Sequence, residues 1–238
     1  GGLGDNSYPF AVKVATGKVC AVSGETWTNR LNRDPQDYMT LPEQPRLDGY
    51  CVEKGTVRQF VAMPLGAGYS AEEQITGAAE HGGLQIVAYP MKAERWERLK
   101  SERIARAEYL DKVSGCMDLS DDAMGLAPGG RMKQQIYDDP FGLDAWDQRH
   151  CGRCFVTIAN SQVWQSITGA RPPTAPPRAA DYTDAGLPWF DYYDDAKALE
   201  GAGPLKGSSS VAEMGKKNGE VPLPENESVD VGRVIGLG

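Results

Sequence analysis

Residues Thr56 to Pro90, TVRQFVAMPLGAGYSAEEQITGAAEHGGLQIVAYP, constrain the fold more than any other stretch of this chain. Thr56–Met63 alternates, with Val57, Gln59 and Val61 on one face and Phe60 and Ala62 on the other, which predicts a strand. Ser70 followed by Glu73 is a capping-box pattern, so a short helix is expected over Ser70–Ile75. Leu84–Tyr89 (LQIVAY) is mostly apolar on both faces and predicts a second, central strand. The segment reads as strand, glycine loop, helix, glycine loop, strand, and it holds His81, one of only two histidines.

The flanking chain adds further strands and one long helix. Tyr8–Val22 alternates on both sides of Thr16-Gly17, the pattern of a β-hairpin. From Ser23 to Gly55 the prolines Pro35, Pro42 and Pro45 exclude a long helix or a central strand; Tyr50–Val52 is a short strand candidate. Ala93–Val113 carries Trp96, Leu99, Ile104, Ala107 and Leu110 at helical spacing, with Glu94/Arg98, Glu102/Arg106 and Glu108/Lys112 as solvated pairs. Ser114–Gly130 reads as a polar loop, and Met132–Tyr137 as a strand or a turn of helix. Cys154–Ala159 reads as a strand, and Ser161–Ile167 as a helix closed by Gly169. The pairs Pro172-Pro173 and Pro176-Pro177 make a stiff connector.

These elements give an α+β, β-rich (β-sandwich-like) domain with helical insertions, a single globular unit over 1–200. Beyond it, 201–238 is poor in apolar residues and reads as an extended polar arm. It is expected to lie on its own globule, dock on a neighbour, or remain disordered alone.

Composition closes off several classes of function. With 25 basic against 33 acidic side chains the formal charge is −8, so a nucleic acid would be repelled. No apolar run approaches the roughly 18 residues of a membrane span. Five cysteines, an odd number, do not form a disulfide framework, and a cytoplasmic, reducing location is expected. The chain starts at Gly1, which is compatible with a processed N-terminus.

Four constellations carry possible chemistry. Gly66-Ala67-Gly68, between a strand and a capped helix, has the outline of a phosphate-binding turn. Ala71 stands where the third glycine would be, and Glu72 and Glu73 put negative charge where an anion would bind. The turn therefore reads as a tight loop whose acids satisfy the helix dipole. Second, Glu72, Glu73, Glu80 and His81 could converge on a divalent metal, with Glu73, Glu80 and His81 the ligand candidates. Third, Cys151 and Cys154 in His150-Cys151-Gly152-Arg153-Cys154 form a C-x₂-C that can share a metal, form a redox disulfide, or be ordinary cysteines. Fourth, Tyr182, Trp189, Phe190, Tyr192 and Tyr193 lie in an aromatic, acidic segment suited to an interface or a stacking platform. No cofactor is implied beyond a possible divalent metal. There is no G-x-S-x-G, and any Ser-His or Cys-His nucleophile must use His81 or His150.

The phrases RQFVAMPLGAGYSAEEQITG (58–77), HGGLQI (81–86), VWQSITG (163–169) and AGLPWFDYYD (185–194) together resemble a family of microbial proteins of unassigned function. That resemblance implies no activity, cofactor or site residue. The residues themselves favour a soluble, non-enzymatic binding and self-assembly module, working as a homo-oligomer or on a protein partner through the aromatic segment and the arm. The alternatives are a metal-dependent hydrolase, a thiol enzyme at Cys151/Cys154, and a nucleotide-binding protein using Gly66 and Gly68.

Overall fold

A computed structural model describes residues 7–110, 127–172 and 199–221. The chain turns tightly at Gly17, whose φ of 58° suits glycine, so that β1 (Phe10–Thr16) and β2 (Val19–Cys20) form the expected hairpin. Strand β3 (Met39–Leu41) pairs with the first half of β1, on the same edge as β2. On its other side β1 pairs along its whole length with β6 (Leu84–Pro90), and β6 pairs with β8 (Gly152–Val156). All of these pairings are antiparallel, and β8 closes one edge of the five-stranded sheet.

A second sheet has the order β4 (Gly49–Glu53), β5 (Thr56–Val61), β7 (Ala127–Lys133), again antiparallel. Residues 127–130, expected in a loop, therefore belong to a strand. The strongest local pattern, Thr56–Pro90, splits between the two sheets, since β5 lies in one and β6 in the other. Helix α1 (Ala71–Thr76) crosses between sheets, and the parallel βαβ unit of a dinucleotide-binding fold is not formed.

Residues 19–22 weld the sheets together. Ala21 donates its N–H to Val14 of the first sheet (2.9 Å), and its carbonyl accepts from Cys51 N–H of the second (3.1 Å). Alternation then buries both faces of this short run. Val19 and Ala21 pack with Tyr50 and Val52, while Cys20 and Val22 pack with Cys51, Val57 and Ile136. A third core lies on the face of β1 and β6 that carries Ala11, Val87 and Tyr89, with Leu31, Tyr38, Met91, Trp96 and Trp146. Trp96 comes from the long helix α2 (Ala93–Leu110) and Trp146 follows a 3₁₀ turn at Leu143–Ala145. The proline-bearing stretch is pinned over this core by buried polar groups. Lys13 is paired with Asp37 and also donates to the Arg30 carbonyl (3.0 Å). Asp139 accepts from both the Tyr38 hydroxyl (2.6 Å) and the Trp146 indole (2.9 Å).

After α3 (Ser161–Thr168), capped by Asn160 and ended at Gly169, the described chain resumes at Leu199. Residues 203–217, expected to be extended, instead form α4 (Gly203–Lys206) and α5 (Val211–Lys217), the latter with its own Ser210/Glu213 capping box. Ala202 N–H donates to the Cys51 carbonyl (3.0 Å) and Leu205 is fully buried beside Tyr50 and Val52. One apolar residue in each polar turn is enough to dock this stretch on its own globule. The fold is α+β and β-rich, as the strand and helix patterns predict.

Candidate functional site

The glycine loop before α1 binds an anion, and the anion is its own Glu73. The Glu73 carboxylate accepts N–H bonds from Gly66 (2.9 Å), Gly68 (2.8 Å) and Ser70 (3.1 Å) and the Ser70 hydroxyl (2.6 Å). Ser70 Oγ in turn accepts from Glu73 N–H, which completes the capping box. Partial burial opposes the charge on Glu73, yet the hydrogen bonds from Ser70, Gly68 and Gly66 hold its carboxyl below the usual glutamate range. The phosphate-like outline of the loop is thus satisfied internally.

One position earlier on α1 the side chain turns inward. Glu72 is buried, and its Oε2 accepts from the N–H groups of His81 (3.3 Å) and Gly82 (2.9 Å). Its Oε1 lies 2.8 Å from His81 Nδ1. The carboxylate accepts throughout, so Nδ1 carries a proton and donates to it. Gly17 makes room for this arrangement, because a Cβ there would stand 2.3 Å from Glu72 Oε2. Gly83 is fixed by a similar demand: its Cβ would meet the Val156 carbonyl oxygen at 2.4 Å.

His81 lines a cleft of about 430 Å³ with Lys18, Leu65, Glu80, Gln85 and Phe155. That volume falls within the roughly 300–1,000 Å³ of small-molecule sites. Gln85 and Phe155 are register partners across β6 and β8, so both side chains emerge on one face of the sheet. Gln85 is 6% exposed, and its Oε1 has no hydrogen-bond partner among the described residues. Phe155, beside it, is 73% exposed.

The metal candidates are not brought together as expected. Glu73 is committed to the loop, Glu80 is exposed, and His81 takes Glu72 as its partner. No group of three or more metal-ligating side chains occurs among the described residues. Cys151 and Cys154 are both exposed and free. Strand β8 starts at Gly152, two residues before the expected start at Cys154. Cys151 lies just before the strand and Cys154 within it. His150, next to them, bonds instead to Asp147 (2.8 Å), which holds the Asp147 carboxyl below its usual range. Tyr182, Trp189, Phe190, Tyr192 and Tyr193 lie outside the described residues.

A second surface adjoins the cleft. Every residue of β8 is exposed and no residue of α3 is buried. Phe155, Val156, Val163, Trp164 and Ile167 are all exposed apolar side chains. Sequence reasoning passed over Gln85 and Phe155; the signal was a lone amide inside the apolar run LQIVAY. No family model, curated protein or solved structure matches the chain.

Proposed function

We propose that this chain is a non-enzymatic binding and assembly module that joins a second copy of itself through β8 and α3. The observation that carries the reading is an edge strand exposed at every residue and flanked by a helix with Val163, Trp164 and Ile167 in solvent. An edge strand offers unpaired N–H and C=O groups to another chain. Antiparallel pairing of β8 with its own copy is two-fold symmetric. A register centred on Cys154 sets Arg153 beside Phe155 and keeps like charges from facing each other. The aromatic, acidic segment at 182–193 belongs to the same reading as a further contact.

Light scattering on protein eluting from a sizing column tests this. Wild type is expected at dimer mass, and Phe155→Glu/Ile167→Glu at monomer mass with unchanged circular dichroism. Wild type that stays monomeric at about 100 µM, where even a weak Kd of that order would show, refutes it.

One observation favours the alternative of a metal-dependent hydrolase. A buried carboxylate that orients a histidine through Nδ1, as Glu72 does His81, is the usual support for a metal-bound or general-base imidazole. Elemental analysis decides: less than about a tenth of an equivalent of zinc, iron or manganese in protein purified without added metal removes it.

A further inference from the structure

Cys151 and Cys154 are exposed, free and placed at the open edge of the larger sheet. The strand itself prevents them from joining each other. Backbone at Gly152 and Arg153 is extended, so the Cα atoms of Cys151 and Cys154 stand about 10 Å apart, three rises of a strand. A disulfide spans at most about 7 Å between Cα atoms. The two thiols of one chain therefore stay apart for as long as β8 remains in the sheet.

A second copy changes the geometry at one of them. Strand β8 has five residues, and a single two-fold antiparallel register pairs all five: Gly152 with Val156, Arg153 with Phe155, and Cys154 with Cys154. Residues directly opposite in such a pair have Cα atoms about 4.5 or 5.5 Å apart, according to their place in the hydrogen-bond ladder. Both values fall inside the roughly 4.4–6.8 Å that disulfides span. Cys151, three residues off the axis, stands about 20 Å along the ladder from its own image. The two exposed cysteines thus differ sharply in what a dimer lets them reach.

We propose that Cys154 is a redox lock on self-assembly: in the β8-paired dimer, on which this rests, it forms an interchain disulfide with Cys154 of the partner subunit. The oxidant is a small-molecule disulfide such as glutathione disulfide. The Cys154 thiolate attacks one sulfur of that disulfide, breaks its S–S bond, and gives a mixed disulfide and one glutathione thiolate. The thiolate of Cys154 of the partner subunit then attacks the protein sulfur of the mixed disulfide, which forms the interchain bond and expels the second glutathione thiolate. The two protons lost by the cysteines end on two glutathione thiols, so both cysteines are oxidised and glutathione disulfide is reduced. Strand pairing already holds the second thiol beside the first, which makes the closing attack unimolecular. Excess thiol reverses both steps and returns the dimer to reversible association.

Two measurements on the full chain test the lock: light scattering in reductant, and a non-reducing gel with peptide mapping after incubation with glutathione disulfide. Wild type is expected as a dimer in reductant and as a covalent dimer after oxidation, joined at Cys154 to Cys154. Cys151→Ser is expected to cross-link as wild type does. Cys154→Ser is expected to lose the cross-link and keep dimer mass in reductant. A reduced dimer that forms no covalent dimer overturns the lock and leaves the assembly standing. Monomeric protein in reductant removes the assembly and the lock with it. Cross-links through any other cysteine, or through a mixture of cysteines, overturn the lock, because the register admits Cys154 alone.

Discussion

Replacing Gln85 by methionine should make the protein more stable, which is the reverse of what most substitutions in a buried strand do. The side chain is 6% exposed and its Oε1 has no partner among the described residues. Burying an amide oxygen without a hydrogen bond costs about 1–3 kcal/mol. Methionine has a similar length and volume, no polar atom to satisfy, and enough flexibility to follow the existing path. A volume-conserving swap in a core costs under about 1.5 kcal/mol. Sulfur beside the ring of Phe155, the register partner of Gln85, recovers some of this. The balance is a gain of about 1 kcal/mol, which for a chain of this size is about 2–4 °C in Tm. Urea unfolding should show a higher midpoint at unchanged slope, since the surface exposed on unfolding hardly differs. A loss of more than about 1 kcal/mol would refute the reasoning, because it would mean that the amide is satisfied by an ordered water in solution.

Two further perturbations probe the loop and the thiols. Glu73→Gln should cost about 1–2 kcal/mol at neutral pH, as caps and charge-assisted bonds do, and should raise amide exchange at Gly66 and Gly68. Because folding lowers the Glu73 pKa from its ordinary 4.5, its contribution is present above that value and lost as pH falls through the folded pKa. Wild type should therefore lose stability on acidification below about pH 4.5 more steeply than Glu73→Gln, and parallel curves would contradict the arrangement. In native protein, iodoacetamide followed by peptide mass mapping should label the exposed Cys151 and Cys154 first. Cys20 and Cys51 are buried, and burial pushes the Cys51 thiol up to about 11, so both should react only on unfolding. Early labelling of Cys51 would show that the weld at residues 19–22 opens.

Local chemistry was legible in the sequence, and long-range pairing was not. The hairpin at Thr16-Gly17, the Ser70/Glu73 cap and the Gly169 stop of α3 each need only a few neighbouring residues, and each forms as the pattern predicts. The assignment of β5 and β6 to different sheets depends on β1, β4, β7 and β8, whose contribution no local pattern encodes. The site shows the same division. Glu72, Glu73, Glu80 and His81 were legible as one constellation, but not that Glu72 is the acid that bonds to the ring. The capping box itself held the answer: Glu73, at the third helical position, is needed by the loop, and one residue along a helix turns the side chain by about 100°. Glu72 is therefore the side chain free to turn inward.

Glu72 and Glu73 consequently divide one task. Glu73 neutralises the glycine loop and fixes where α1 starts; Glu72, aimed from that start, reaches across Gly17 to hold His81, Gly82 and the first residues leading into β6. The cleft wall then follows from packing. Gly83 lets β8 approach, β8 sets Phe155 opposite Gln85, and the imidazole is presented beside them. A scaffold that needed only to be stable would have put an apolar residue at Gln85 and a polar one at Phe155. The inversion of those two choices, on adjacent strands of an otherwise consistent sheet, is where sequence-level consistency fails, and such failures concentrate at functional sites.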